Sequence, residues 1–311
     1  MKRKSIFLIA ALMLSACGSP APAENPTEAN SVETGSATDD STSVPESSTD
    51  ESQTESSEPD SSGSVTLSEQ EIYNQNDIIV TVTGFDMDET FGPEISVLIE
   101  NNSDKGITVQ PRNSSVNGYM IDLQMSCDVA PGKKANDSLD IFQSELDACG
   151  IDTISEIDFS LHFIETDSFE TLFDSDMINL QTSAYGTFEQ TYDDSGDLLY
   201  EGDGIRIVLK GLVTDDSIFG PEVFFYIENN SESGITVQVR DTSVNGFMVD
   251  PSFSADVAPS KKCVDSLSFL SSQLEENDIT SIDTLETSFH IFNSDSWDTI
   301  IDTDPVIINF N

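Results

Sequence analysis

Two histidines, three internal cysteines and a few recurring charges are the side chains of this chain best suited to chemistry. His162 and His290 are the only histidines, and they stand 128 positions apart. A hydrolytic site would need a nucleophile and an orienting partner converging on one of them, yet no Gly-x-Ser-x-Gly, His-Glu-x-x-His or Cys-x-x-Cys pattern is present. A strand histidine hydrogen-bonded to a neighbour is the simpler expectation, so the chain reads as a non-enzyme that needs no cofactor. Cys127, Cys149 and Cys263 are odd in number, and at an offset of 128 they face Ala255, Asn277 and Ala135, so no pair recurs. They read as small buried thiols, with a Cys127–Cys149 bridge as the alternative. Asp167, Asp174 and Asp176 return as Asp295, Asp302 and Asp304. Hard oxygen ligands suit calcium, but no Asp-x-Asp-x-Asp-Gly-x5-Glu loop exists. Asp174, Asp176, Asp302 and Asp304 are therefore weak calcium candidates beside the plainer reading as solvated turn carboxylates.

Cations are scarce and they recur. Arg112/Arg240, Lys133-Lys134/Lys261-Lys262 and the acids Asp137/Asp265 occupy matching positions. They could hold strands in register as ion pairs worth about 0–1 kcal/mol each when exposed, and Arg112, Arg240, Lys134 and Lys262 are also candidate binding residues. An asymmetry points towards a partner. Ser96 and Leu98 become Phe224 and Tyr226, and Phe169 becomes Trp297. Aromatics on an open sheet face anchor protein or glycan contacts, which makes Phe224, Tyr226 and Trp297 binding candidates. Packing of Phe224 and Tyr226 against the neighbouring domain or the opposite sheet is the competing reading.

The chain opens on Met1-Lys2-Arg3-Lys4, an apolar run from Ile6 to Leu14, and Leu14-Ser15-Ala16-Cys17-Gly18. That order of basic, apolar and small-residue segments marks a secretory signal, too short to be a spanning helix. Leu-Ser-Ala-Cys resembles the lipobox of bacterial lipoproteins. The resemblance implies that Cys17 is lipidated, that residues 1–16 are removed, and that the chain is anchored to a membrane and exposed outside the cytoplasm. Two acyl chains suffice for stable anchoring. Without residues 1–16 the chain carries 9 Lys+Arg against 58 Asp+Glu, a net charge near −49. Such a field opposes binding to phosphate polymers, and nucleic acid is set aside as a partner.

Residues 17–66 are mostly Ser, Thr, Glu, Asp, Pro and Ala. They cannot bury enough surface to offset ordering entropy and read as a disordered acidic linker, about 35–42 Å end to end. Beyond it, residues 91–180 align without a gap onto 219–308, and 37 of the 73 pairs between 91 and 163 are identical. Phe-Gly-Pro-Glu (91–94, 219–222), Glu-Asn-Asn-Ser (100–103, 228–231) and Gly-Ile-Thr-Val-Gln (106–110, 234–238) all return. A repeat of this length is a whole domain: a first over 67–183, a connection over 184–203 with a hairpin turn at Ser195-Gly196, and a second over 204–311.

Within each repeat, short Val/Ile/Phe runs separated by Gly, Pro and Asn clusters every eight to twelve residues predict an antiparallel sandwich. Ile78, Val80 and Val82 alternate with Ile79, Thr81 and Thr83, which puts one set on a core face. Asn117-Gly118 and Asn245-Gly246 carry the hairpin signal that needs two residues at positive φ. One short helix is expected over Ser144–Cys149, with Ser144 as N-cap and Gly150 ending it. The fold class is all-β: two tandem immunoglobulin-like antiparallel β-sandwiches, each with one short helix, after a disordered stalk. Phe-Gly-Pro-Glu, Glu-Asn-Asn-Ser, Ser-Val-Asn-Gly and Val-Ala-Pro-x-Lys-Lys resemble stretches of immunoglobulin-like sandwiches in small secreted bacterial antigens and in lipoproteins of low-GC Gram-positive bacteria. The resemblance implies fold and location and carries no activity. The functional expectation is a membrane-anchored binding module for a protein, a glycan or another envelope polymer. A structural spacer without ligand is the alternative, and a weak calcium-binding protein or metal-dependent enzyme, a hydrolase, a more distant one.

Overall fold

The structure, a computed structural model, describes residues 65–88, 91–214 and 220–310. The expectations for residues 1–16, for Cys17 and for most of the acidic linker lie outside the described residues, as does Phe219. Residues 61–311 belong to one compact unit.

The first repeat runs β1 (Gln70–Gln75), β2 (Ile78–Asp88), β3 (Gly92–Asn101), β4 (Ile107–Val116), β5 (Tyr119–Met120), β6 (Cys127–Val129), β7 (Lys133–Asp140), α1 (Gln143–Ala148), β8 (Glu156–Glu165), β9 (Thr171–Asp174) and β10 (Ile178–Gln181). The second repeats the order: β11 (Asp197–Gly202), β12 (Ile205–Val213), β13 (Glu222–Asn229), β14 (Ile235–Val244), β15 (Phe247–Met248), β16 (Ser254–Val257), β17 (Lys262–Ser268), α2 (Ser271–Glu276), β18 (Thr284–Asn293), β19 (Thr299–Asp302) and β20 (Val306–Asn309). In the first repeat β1-β2-β3-β7 form one four-stranded sheet, and in the second the matching β11-β12-β13-β17 continue through a β17–β5 bridge into the β4–β8 sheet of the first repeat, a ten-stranded sheet in all. The other layer of each repeat is centred on β4 and β8, or on β14 and β18. The chain is an all-β sandwich protein with antiparallel pairing within each repeat.

Alternation explains the layers. Ile95, Val97 and Ile99 of β3 and Phe159, Leu161 and Phe163 of β8 are buried, as are Val223, Phe225 and Ile227 of β13. Each such side chain stabilises by about 1.5–3 kcal/mol through its apolar area. Irregularities are duplicated along with the strands. Bulges fall at Val82/Gly84 and Leu209/Gly211, and again at Arg112/Ser115 and Arg240/Ser243, where Asn113 and Asp241 take φ of 52° and 51°. The buried Asn of Glu-Asn-Asn-Ser clamps the turn after β3 or β13. Asn101 Nδ2 donates to the carbonyls of Lys105 and Val129, and its Oδ1 accepts from Ser103 N and Oγ. Asn229 makes the same four bonds with Ser233, Val257 and Ser231.

Three local expectations are corrected. Helix α1 starts at Gln143, and its N-cap is Phe142, two residues before the expected Ser144; Leu270 takes the same place in α2, and neither has a side-chain cap. The Phe142 carbonyl takes the Glu145 and Leu146 N–H groups, and buried Leu146 pins the turn, so packing holds α1 where Ser144 was expected to cap it. The hairpin of the second repeat turns at Asp203-Gly204 (φ 52° and 78°), matching Asn76-Asp77, and not at Ser195-Gly196. Consequently β11 lies within 184–203, and the stretch between repeats is shorter than the sequence suggests. Thr66, assigned to the linker, already exchanges backbone and side-chain hydrogen bonds with Ser183.

Candidate functional site

A polar row crosses the second sheet of each repeat. Three neighbouring strands and the residue just before β6 place Gln110, His162, Asp174 and Ser126 in a row, because Gln110 pairs with His162 and His162 with Asp174 across the ladders. Gln110 Nε2 donates to Ser126 Oγ at 3.1 Å, and His162 Nδ1 lies 2.5 Å from Asp174 Oδ1. The second repeat holds Ser254, Gln238, His290 and Asp302 alike, with 3.3 Å and 2.6 Å for the same contacts. The His–Asp pairs are thus cross-strand neighbours. Each carboxylate orients one imidazole nitrogen.

Beside the row stands an aromatic tip. Phe169 and Trp297 close the β8–β9 and β18–β19 hairpins at φ of 59° and 63°, and they are 77% and 74% exposed. A left-handed backbone suits Gly or Asn, and a bulky residue there is an outlier costing about 1–2 kcal/mol. The loops close on backbone bonds from Phe169 N to Glu165 O and from Trp297 N to Asn293 O. In the second repeat the rings form a file. Trp297 stacks on Phe292 (5.5 Å, 18°), and Phe292 leans on His290 (5.2 Å, 34°). Of the three aromatic binding candidates, Trp297 alone stands open to solvent.

The other two are placed differently. Tyr226 is 1% exposed and belongs to the core of the first repeat, and Phe224 is half-buried. At Tyr226 the competing reading, packing against the neighbouring domain, holds, and the open recognition face is closed because the first repeat sits on it. Tyr119 meets Tyr226 edge-on at 6.4 Å and Tyr192 at 5.3 Å, and Tyr192 donates its hydroxyl to the Asn117 carbonyl. Lys262 N donates to Gly118 O in a one-residue parallel bridge, and its ammonium lies 4.2 Å over the Tyr192 ring. Lys261 reaches Asp158 at 2.6 Å. Burial pushes the Asp158 carboxyl up, but hydrogen bonds from Lys261 and Asn179 bring it below the usual range. On the same joint Glu145 and Asp265 are both raised, first by burial and then by facing acids, since Glu145 feels Asp122 and Asp265 while Asp265 feels Asp122, Asp256 and Glu222.

The remaining cations act mainly as register pairs. Lys134 binds Glu100 at 2.8 Å, Lys262 also reaches Glu228 at 3.7 Å, and Lys105 binds Glu165 at 3.1 Å. Lys210 and Arg206 hold Asp193 and Asp194 of the connection onto β12. Arg112 and Arg240 are exposed at the bulges of β4 and β14 and form no ion pair among the described residues. The calcium candidates do not assemble. Asp174 and Asp302 are engaged by histidine, and among the described residues no three His, Cys, Asp or Glu side chains could share a metal ion. Cys127, Cys149 and Cys263 are free and buried, so the Cys127–Cys149 alternative does not form. Burial pushes the Cys127 and Cys149 thiols up to about 12.

No family model and no curated protein matches the chain. Among solved structures it is similar to the YadV chaperone at 12% identity, over 75% of this chain and 100% of that one, with a TM-score of 0.23. No described helix is long and apolar enough to cross a membrane.

Sequence reasoning found the histidines, Trp297 and Lys262, but missed the joint. Tyr119, Tyr192, Asp158 and Lys261 make it, and the available signal was an aromatic directly after Asn117-Gly118 together with Tyr192 in the connection. It also treated Phe169 as a mere counterpart, whereas both hairpin tips share one strained backbone.

Proposed function

We propose that the chain is a lipid-anchored extracytoplasmic binding module without catalytic activity, whose paired sandwiches hold a hydroxyl-rich envelope polymer. The observation that carries this reading is the duplicated tip: an exposed aromatic ring on a left-handed backbone beside a Ser-Gln-His-Asp row. Half of the aligned positions have diverged, yet a strained aromatic stands there in both copies. A planar ring offers a face to the C–H surface of a sugar, and a row of amide, imidazole, hydroxyl and carboxylate supplies donors and acceptors for its hydroxyls. The acidic chain disfavours anionic polymers, so a neutral or amino-bearing glycan fits best. Two such sites in one chain would add avidity.

Trp297 is the only tryptophan, so its fluorescence reports this site alone. Titration of the full chain with soluble envelope glycan fragments should shift or quench that emission. Phe169→Ala with Trp297→Ala should lose retention on the insoluble polymer. Unchanged emission together with undiminished retention refutes the reading. One observation favours a second reading, a rigid spacer: the joint between repeats is stapled by Lys261–Asp158, Lys262–Gly118 and Tyr119–Tyr226. A spacer would retain on no polymer at all.

A further inference from the structure

The joint between the repeats is made by unlike surfaces, a plug on the first repeat and a socket on the second. Because the chain is duplicated, the structure holds one more of each. The spare plug is the tip of the second repeat. Phe247 and Met248 are 48% and 66% exposed, whereas Tyr119, which faces Phe247 in the alignment, is 1% exposed. The two plugs share a backbone: Asn117-Gly118 and Asn245-Gly246 have φ of 49°/84° and 52°/85°. Asp122 N donates to Glu145 Oε2, and Asp250 N to Gln273 Oε1, both at 3.2 Å. A Cβ on Gly118 would strike Tyr192, whereas one on Gly246 would meet nothing within 4 Å. The spare socket is the outer face of β2, β3 and β7. Leu98, Lys133, Asn136 and Asp137 lie there, and the last two also line an adjoining open depression of about 440 Å³ with Thr83, Glu94, Ser96 and Ser138.

Contacts across the existing joint map onto compatible pairs across the spare one. Tyr119 on Tyr226 becomes Phe247 on Leu98, and Asp158 with Lys261 becomes Glu286 with Lys133. Cys149, which meets the backbone of Val264, becomes Asn277 facing Asn136. Glu145 repelled by Asp265 becomes Gln273 beside Asp137, an amide against a carboxylate. Tyr119/Tyr226 and Cys149/Val264 have changed on both sides of the contact, whereas Lys133 and Asp137 keep the residue types of Lys261 and Asp265. One pair sets like charges together, Asp250 against Asp137, as Asp122 already faces Asp265 in the existing joint.

We propose that the Phe247–Met248 plug of one chain seats in the β2-β3-β7 socket of a second copy, so that the chain associates head to tail. Each chain carries one plug and one socket, so the contact is heterologous and can continue from chain to chain. It uses neither Phe169 nor Trp297. The socket is more polar than its counterpart, with Thr81 and Asn136 where the second repeat has Val208 and Val264, and the chains repel through a net charge of −46. Association is therefore weak and strengthened by salt, which screens that repulsion.

The test is sedimentation velocity of the full chain carrying Cys17→Ser, so that no lipid contributes, from about 10 µM to about 1 mM. The expected result is a weight-average mass that rises to about double the monomer or more, further in about 0.5 M than in about 0.05 M sodium chloride. Phe247→Ser with Met248→Ser should stay monomeric with an unchanged circular dichroism spectrum. Lys133→Glu and Glu286→Lys should each be monomeric alone and associate again in alternating order when mixed, because the altered plug then meets the altered socket and the unaltered plug the unaltered socket. A wild-type chain that is monomeric throughout overturns the proposal. Association that survives the Phe247/Met248 change overturns it too, as does association abolished by that change but untouched by Lys133→Glu, which would mean plug against plug.

Discussion

The hairpins Asn117–Met120 and Asn245–Met248 have nearly one sequence and one backbone, yet Tyr119 lies in a core and Phe247 in solvent. The turn chemistry is therefore independent of the surroundings: an Asn-Gly pair takes positive φ whether or not anything covers it. What differs is the surface each tip meets. Strand β13 carries Tyr226 where β3 carries Leu98, and β17 carries Val264 where β7 carries Asn136. Turns and buried asparagines persist between copies because the backbone demands them, whereas outer faces drift according to what lies on them.

The strongest way to break this comparison is to remove the joint's central ring. Tyr226→Ala should cost about 3–5 kcal/mol, the range for a large buried aromatic. Leu98→Ala, at the matching half-buried position, should cost less than about 1 kcal/mol. Urea unfolding of both variants decides it, and equal costs would mean that the repeats do not share packing. A smaller effect should be symmetric. Asn101→Ala and Asn229→Ala each strand one buried and one part-buried carbonyl and should each cost about 2–3 kcal/mol. A difference above about 1 kcal/mol between them would show that the two turns are not equivalent.

The layers were legible because period-two alternation, Asn-Gly turns and a gapless repeat all act locally, and Ile95, Val97 and Ile99 point inward for the reason their spacing suggests. The joint was not legible, because Tyr119, Tyr192 and Tyr226 come from three distant segments and nothing in their spacing says that they meet. For the same reason Phe224 and Tyr226 admitted two readings, an open face or packing on the neighbouring domain: alternation assigns side chains to the outside of a sheet without saying what sits on that outside, and Tyr226 follows the second. The helix start was missed because Ser144 has a capping side chain, while the register of α1 is held by buried Leu146. The His–Asp row was half legible. The histidines and aspartates were singled out, but cross-strand register and not sequence spacing pairs them.

Charge at the joint separates the copies next. Glu145 and Asp265 sit above the usual carboxylate range, so the folded chain holds extra protons between the ordinary and the raised values. Their contribution to stability is fully present below the ordinary value and is lost as pH rises through the raised one. Asp158 runs the other way: its lowered value contributes stability above the ordinary carboxylate range, lost as pH falls. Glu145→Gln, which copies Gln273 of the second repeat, should raise stability at neutral pH by up to about 1 kcal/mol after solvent screening of the half-buried carboxylate. It should also flatten the rise in Tm on mild acidification. A Tm that falls at neutral pH would show that Glu145 is favourably paired in the joint.

The smallest effect sets the two aromatic tips against each other. Replacing Phe169 by glycine relieves a left-handed backbone worth about 1–2 kcal/mol and loses about 0.5–1 kcal/mol to the greater freedom of the unfolded chain. The ring has no aromatic partner among the described residues, so the sum is a gain of about half a kcal/mol. Trp297 carries the same backbone, but its ring stacks on Phe292, a contact worth a further 0.5–1.5 kcal/mol or so. Trp297→Gly should therefore be neutral or slightly destabilising. Opposite signs in chemical denaturation would show that strain at the first tip is retained against stability and that only the second is partly held by packing. A loss of stability on Phe169→Gly would mean that the ring is anchored on its own sheet and leaves no strain to explain by ligand binding.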